Sequence, residues 1–293
     1  MLTPPPPRGL RFLMTPFAAN DLSGYGRYAP RGWKAGLIGL TRRCPASWAG
    51  KRGAFILRGL AVKALGGRPL DVEALGVRMR LYPRNNTCEK RLLFTPQYFD
   101  LQERTLLASR IVDDFVFIDI GANVGGYALF VAARAGPRAR ILAIEPQPEI
   151  FERLVYNVSQ NPFSMVKALD CAVADRPGEV TLFLSPHNRG ETSMKIVDAD
   201  GYDERVRVTA KTLQGLLEEE GFDRVDAIKL DTEGAADLIL EPFFAGAPQK
   251  LWPKLLLMEN TEGRWSVDIE RILERSGYRE VLRTHSNVGW ERD

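Results

Sequence analysis

Five acidic residues, Asp119, Glu145, Asp170, Asp231 and Glu259, each stand at or just past the end of a short apolar run. Ligands of open α/β sheets bind outside the carboxyl ends of the strands, so these carboxylates would share one rim. The run from Phe115 to Ile120 leads into Gly121-Ala122-Asn123-Val124-Gly125-Gly126. A strand, a glycine turn and a helix offer free backbone N–H groups and a close backbone approach, which suits an adenosine-bearing ligand. The spacing G-x-x-x-G-G departs from the dinucleotide fingerprint G-x-G-x-x-G, whose second glycine makes room for a pyrophosphate. Ala122 and Asn123 take that place here, and Asp119 would repel a pyrophosphate while attracting a cation. S-adenosylmethionine carries an ammonium and a sulfonium and no phosphate, so it fits better than NAD. A plain strand-to-helix turn would carry the same glycines, and the other strand ends must decide.

Glu145 lies 19 residues after Gly126, near the spacing of a carboxylate that pairs with a ribose diol. Its two oxygens are acceptors and the two ribose hydroxyls are adjacent donors. A cap before Pro146 is the competing reading. Asp170, followed by Cys171, would sit beside the adenine and accept from its exocyclic amine; a solvent-facing turn is the alternative. His187 lies in a long polar loop, Ser185 to Asp203, and a lone loop histidine is more often incidental than catalytic.

The elements needed to position these groups follow the hydrophobic period. Residues 140–145 read as a second buried strand and 165–169 as a third strand, and 148–160 as a helix with Ile150, Phe151, Leu154, Val155 and Val158 inward. Alternating strands and helices at this spacing mean parallel β-α units in a doubly wound α/β sheet. Further strands are expected over 179–184, 204–208, 225–230 and 255–258, with helices over 212–220, 234–240 and 267–276. Residues 278–283 and 288–292 read as an antiparallel pair at a sheet edge. Upstream, a strand is expected from Val77 to Tyr82. A helix is expected over 100–111 with Leu101, Leu106 and Leu107 buried. Residues 1–30, rich in Pro and Gly, are expected to be poorly ordered.

Composition excludes several classes. The 293 residues are 45% hydrophobic and 26% charged, ordinary for a globular chain. No apolar run approaches a membrane span, and the N-terminus lacks the apolar core of a secretory signal. Three scattered cysteines, with no C-x-x-C, fit a reducing cytoplasm and neither a disulfide frame nor a zinc site. Charge is uneven: residues 1–110 hold 19 Lys and Arg against 6 Asp and Glu, whereas the remainder holds 21 against 31. Such asymmetry suggests an anionic contact, with an anionic membrane surface, an acidic glycan carrier or nucleic acid as candidates, or a basic segment docked on the acidic body. Between Trp33 and Leu65 the polar positions are almost all Lys or Arg, as in helices that lie on a bilayer; a helical substrate cap is the alternative.

The order of motifs Phe117-Ile-Asp-Ile-Gly-Ala-Asn-Val-Gly125, Ile144-Glu145-Pro146, Ala172-Val173-Ala174-Asp175, Lys229-Leu-Asp231-Thr-Glu233-Gly234 and Glu259 resembles the FkbM family. Those are class I S-adenosylmethionine-dependent methyltransferases known for O-methylation of hydroxyls on polyketides and sugars. The resemblance begins near Arg80, so residues 70–293 are expected to form the methyltransferase domain and residues 1–69 a basic extension, partly disordered or helical. It implies a Rossmann-like, seven-stranded, mostly parallel sheet with an antiparallel edge strand and helices on both faces. The cofactor would lie over Asp119, Gly121, Ala122, Asn123 and Gly125, with Glu145 on the ribose.

The implied acceptor is a hydroxyl-bearing small molecule or glycan, and the implied reaction an in-line displacement that needs alignment and a base. Asp231 is expected as base or orienter, with Glu233 and Glu259 as partners, because clustered carboxylates can raise one pKa towards the working range. Mg²⁺ on Asp231, Glu259 and Asn260 is an alternative that is not favoured, since an acidic cluster does not by itself define octahedral geometry. Nucleic acid is disfavoured as the acceptor: amino groups of bases usually call for Asn/Asp-Pro-Pro-aromatic where this chain has Asp231-Thr-Glu-Gly. One departure from the family pattern, Ala236 in place of a glutamate, leaves Asp237 as a possible substitute and a non-catalytic cofactor-binding module as a further alternative.

Overall fold

The computed structural model describes residues 20–84, 86–184, 192–193, 204–260 and 265–293. Helices α1 (Trp33–Arg42) and α2 (Trp48–Ala64) precede a hairpin of β1 (Leu70–Ala74) and β2 (Val77–Leu81), then α3 (Thr87–Phe94) and α4 (Leu101–Ala108). Next come β3 (Val116–Ile120), α5 (Gly126–Ala132), β4 (Arg140–Ile144), α6 (Pro148–Ser159) and β5 (Val166–Leu169). A separate small sheet is built from β6 (Ala172–Val173), β7 (Gly178–Leu184), β8 (Thr192–Ser193) and β9 (Glu204–Lys211). The main sheet resumes with α7 (Leu213–Glu219), β10 (Ala227–Leu230), α8 (Ala236–Gly246), β11 (Leu255–Glu259), α9 (Ile269–Arg275), β12 (Arg279–Arg283) and β13 (Asn287–Glu291).

Seven strands form the main sheet in the order β12-β13-β11-β10-β3-β4-β5. From β11 to β5 all neighbours are parallel, and β13 is antiparallel to both β11 and β12. The antiparallel strand thus lies one position in from the edge, with β12 outside it. Strand side chains alternate between two cores. Phe117, Ile141, Ala143, Ala227 and Leu257 pack towards α5, α6 and the β1–β2 hairpin. Val116, Ile118, Leu142, Ile228 and Leu256 pack towards α7, α8 and α9. Helices on both faces and buried strands explain why the strands read as continuous apolar runs.

Upstream of the sheet, the strand expected from Val77 is present as β2, and a tight turn at Leu75 and Gly76, both with positive φ, pairs it with a further strand, β1. Two other expectations differ from the structure. Leu101 is exposed at the start of α4, leaving Leu107 as its buried anchor. Residues 20–28 are stapled to the body instead of loose. Arg80, buried in β2, donates from Nε to Asp71 Oδ1 at 2.6 Å and from Nη2 to Asp71 Oδ2 at 2.9 Å. Its Nη1 donates to the carbonyls of Asp21 and Ser23 at 2.7 and 2.8 Å, and Nη2 to that of Gly24 at 3.1 Å. The guanidinium also lies between the rings of Tyr28 and Tyr156, 5.0 and 4.4 Å from their centroids. Helices α1 and α2 contribute Ile38 and Ala61 to the same core as β1, β2 and β3.

Removing one partner of a buried ion pair leaves the other uncompensated. Arg80→Ala is therefore expected to destabilise the fold by about 3–5 kcal/mol, read as a lower urea midpoint, and to open residues 20–28 to proteolysis.

Candidate active site

The carboxyl ends of β3, β4, β10 and β11 enclose a cleft of about 280 Å³. Asp119, Gly121, Ala122, Asn123, Glu145, Cys171, Asp231, Glu233 and Glu259 all line it. Gly125 and Asp170 do not. Gly125, with φ 91°, caps α5 from beneath, against Leu154. Asp170 is exposed at the turn after β5, and of the expected pair only Cys171 lines the cleft. His187 lies outside the described residues.

The glycine turn is shaped by close backbone approach. At Gly121, φ is 76°, and a Cβ would fall 1.9 Å from the carbonyl oxygen of Asp231. Gly121 and Ala122 both donate their N–H to the Ile144 carbonyl at 2.9 Å. Asn123 adopts φ 50°, a left-handed conformation that asparagine tolerates better than most side chains. Its Oδ1 accepts from Asn86 Nδ2 and from Val124 N–H.

Both neighbouring carboxylates are buried and tied to backbone. Asp119 Oδ2 accepts from the Ala128 N–H at 2.9 Å, holding the first turn of α5. Glu145 Oε2 accepts from Asn123 N–H and Oε1 from Gln147 N–H, each at 2.9 Å. Burial pushes Asp119 up to about 7, against the opposing pull of Lys229 and the Ala128 N–H. It likewise pushes Glu145 up to about 7, although two backbone N–H groups act the other way.

Asp231 and Glu233 follow β10, and Glu259 ends β11. Their carboxylate oxygens lie within 4.8 Å of one another. Glu233 sits at φ 51°, a conformation that costs a non-glycine residue of order 1–3 kcal/mol. Asn260, the third residue of the alternative Mg²⁺ set, does not line the cleft; its backbone N–H donates to the Ser286 carbonyl. Asp237, the possible substitute for the family glutamate, is buried and accepts from Ser266 N–H and Oγ at 2.8 and 2.6 Å. It tethers the approach to α9 and does not line the cleft.

The most consequential residue absent from the sequence expectations is Lys229. Register places it beside Asp119 on the α5 side of the sheet, 1% exposed. Its Nζ lies 3.6 Å from Asp231 Oδ2 and 5.5 Å from the centroid of the Tyr127 ring. Desolvation favours a neutral amine, but Asp231, then Asp100, Asp119 and Glu259, outweigh it and hold the ammonium above its ordinary pKa. Tyr127 and Asp100 are also unforeseen cleft residues, joined by a hydrogen bond of 3.2 Å from the phenol to Asp100 Oδ2. A lysine within an otherwise apolar strand was the available signal for this group.

The sheet order and the glycine turn define a Rossmann-like class I methyltransferase. The chain belongs to the FkbM methyltransferase family, whose domain profile matches residues 119–280, more than half of its length. The methyltransferase sdnD of Sordaria araneosa is 29% identical over 192 residues, covering 55% of this chain and 72% of that protein. The hexuronic acid methyltransferase AglP of Haloferax volcanii is 28% identical over 131 residues, which is 44% of this chain and 50% of that protein. A crystal structure of methyltransferase FkbM from Methylobacillus flagellatus KT superposes with a TM-score of 0.43 at 16% identity, over 82% of this chain and 60% of that one.

The family uses S-adenosylmethionine, and the cleft residues fit it. Each oxygen of Glu145 takes one backbone N–H and keeps acceptor capacity for a ribose hydroxyl. The missing Cβ at Gly121 keeps the turn pressed against Asp231. Thr232 Oγ1, buried at the cleft, has no hydrogen-bond partner among the described residues. When bound, the cofactor supplies a methyl group already activated by its sulfonium.

Because Glu145 and Asp119 are raised from 4.5 and 3.8 to about 7, the folded chain without ligand retains protons that the unfolded chain releases. Its stability therefore falls as pH rises from about 4 to 7. Ribose hydroxyls and a cationic ligand favour the ionised carboxylates, so cofactor affinity is expected to rise about tenfold between roughly pH 6 and 8. Calorimetry in buffers of different ionisation heat should register proton release, and Glu145→Gln should weaken binding at least about tenfold and flatten the pH profile.

Proposed function

We propose that this chain methylates a hydroxyl oxygen on a sugar, glycolipid or polyketide-like acceptor, with Asp231 as the base. The observation that carries this reading is the group Asp231, Glu233 and Glu259, with oxygens within 4.8 Å of one another at the open end of the cleft. Ionised carboxylates only accept hydrogen bonds, so the group selects donors, and neighbouring hydroxyls of a sugar supply several. Asp231 is the group best placed to take the proton: its side chain is 48% exposed, whereas its inner oxygen faces the Lys229 ammonium. The proton moves from the acceptor hydroxyl to Asp231 Oδ as the oxygen becomes nucleophilic. Glu233 and Glu259 orient the remaining hydroxyls.

Two observations support oxygen over the nucleobase amines of nucleic acid. The segment after β10 is Asp231-Thr-Glu-Gly, with no proline-aromatic element to clasp a flat base. AglP, 28% identical over 131 residues, is named as a hexuronic acid methyltransferase. We further propose that transfer needs no Mg²⁺, because Lys229 already sets a fixed positive charge against Asp231 and Glu259. A divalent ion at the trio would meet that ammonium at close range.

The test supplies purified protein and methyl-labelled S-adenosylmethionine with glycan and lipid extracts from cells lacking this chain, and analyses the product by mass spectrometry. A methyl ether is expected, unaffected by chelator. Asp231→Asn is expected to bind cofactor within about threefold of the parent and to lose at least about a hundredfold in turnover. Full turnover by Asp231→Asn would rule out the proposed base, and label found only on nitrogen would rule out the reaction class.

A further inference from the structure

Helix α2 presents an unusual outer face. Trp48, Phe55, Ile56 and Leu60 are 76, 47, 60 and 59% exposed, and their spacing of seven, eight and twelve residues puts them on one side of the helix. Ala54 and Ala61 are buried on the other. Arg52 and Lys63 stand within the exposed face, and Lys51 and Arg58 flank it by helical spacing. The Arg52 guanidinium lies 5.5 Å from the Trp48 ring centroid, and that of Arg58 lies 4.7 Å from Phe55. Large apolar groups are normally exposed singly, and a row of four on one helix marks an interaction surface.

Charge identifies the occupant. From residue 22 to residue 70 the chain carries ten Lys and Arg and no Asp or Glu. A second copy of α2 would set like charges against like. The chain's own residues 1–19 are also basic, with Arg8 and Arg11 and no acid. Nucleic acid would reward the cations but give no return for exposing Ile56 and Leu60 to a phosphate backbone. A surface offering both anions and hydrocarbon suits all of these side chains. We propose that α2 docks in the plane of an anionic lipid bilayer, its apolar row in the acyl boundary and its cations among the headgroups. With 17 residues, four of them charged, α2 lies on the membrane instead of crossing it. No described helix is long and apolar enough to span one.

This proposal stands apart from the methyl-transfer reading, and its test involves no turnover. The full chain is sedimented with vesicles of phosphatidylcholine alone or with about one-third phosphatidylglycerol. Binding to the anionic vesicles is expected to be at least about tenfold tighter and to weaken with salt. Phe55→Ser/Ile56→Ser/Leu60→Ser should lower it about tenfold or more, and Arg52→Gln/Lys63→Gln should lose about fivefold per charge. Circular dichroism and the unfolding midpoint check that both variants stay folded. No binding to anionic vesicles, or undiminished binding by the folded triple variant, overturns the proposal. So does self-association abolished by the triple variant, or salt-sensitive RNA binding, in the absence of vesicle binding.

Discussion

The active site is organised around a buried cation that the chain itself provides. Parallel strands whose carboxyl ends all carry acids would concentrate negative charge in a space poorly screened by water. Lys229 lies among Asp231, Asp100, Asp119 and Glu259, and its ammonium is the common counter-charge. The arrangement depends on register: β10 pairs with β3 so that Lys229 sits beside Asp119, while Asp231 emerges one step beyond the strand. Burying an ammonium in this way is costly without partners. The rim and the lysine therefore require each other, and it is the sheet register that brings them together.

The same register explains the glycine turn. Asp231 N–H donates to the Ile120 carbonyl at 2.9 Å, pulling the end of β10 against the end of β3. That leaves 1.9 Å between a would-be Cβ on Gly121 and the Asp231 carbonyl oxygen. The cleft walls on β3 and β4 and on β10 and β11 thus come into backbone contact at Gly121 and Asp231, just beyond the paired residues of β3 and β10. A shift there would move Glu145 and Asp231 relative to one another.

The sequence made the strand ends legible because central parallel strands are buried on both faces and stop at a polar residue. Asp119, Glu145, Asp231 and Glu259 were readable for that reason, and all four line the cleft. Asp170 obeyed the same local rule but turns to solvent, which no pattern within its own strand could reveal. Lys229 shows in the sequence only as a cation within an apolar strand; its place beside Asp119 depends on pairing with a strand 110 positions earlier in the chain. Helix α3 escaped notice for another reason. It is eight residues long and buries an acid, Glu89, that pairs with Arg153, so it lacks a clean apolar stripe. Its one local sign was Asn86, whose side chain caps the helix by accepting from the Glu89 N–H.

Residues 20–28 left little sequence signal, because their hydrogen bonds from Arg80 go largely to backbone carbonyls, which are common to every residue type. Yet this segment is joined to the cleft through side chains. Asn20 Oδ1 accepts from Arg153 Nε in α6, and Arg153 Nη1 donates to Glu89 in α3 at 2.5 Å. Asn86, at the cap of α3, donates to Asn123 Oδ1, and the Asn123 N–H donates to Glu145. Each link is buried or half-buried, so none is easily exchanged for water. Residues 20–28 therefore brace α3 and α6 against the turn that holds Glu145. Helices α1 and α2 join the body through Ile38 and Ala61, in the core that also holds Ala122 and Val124 on either side of Asn123.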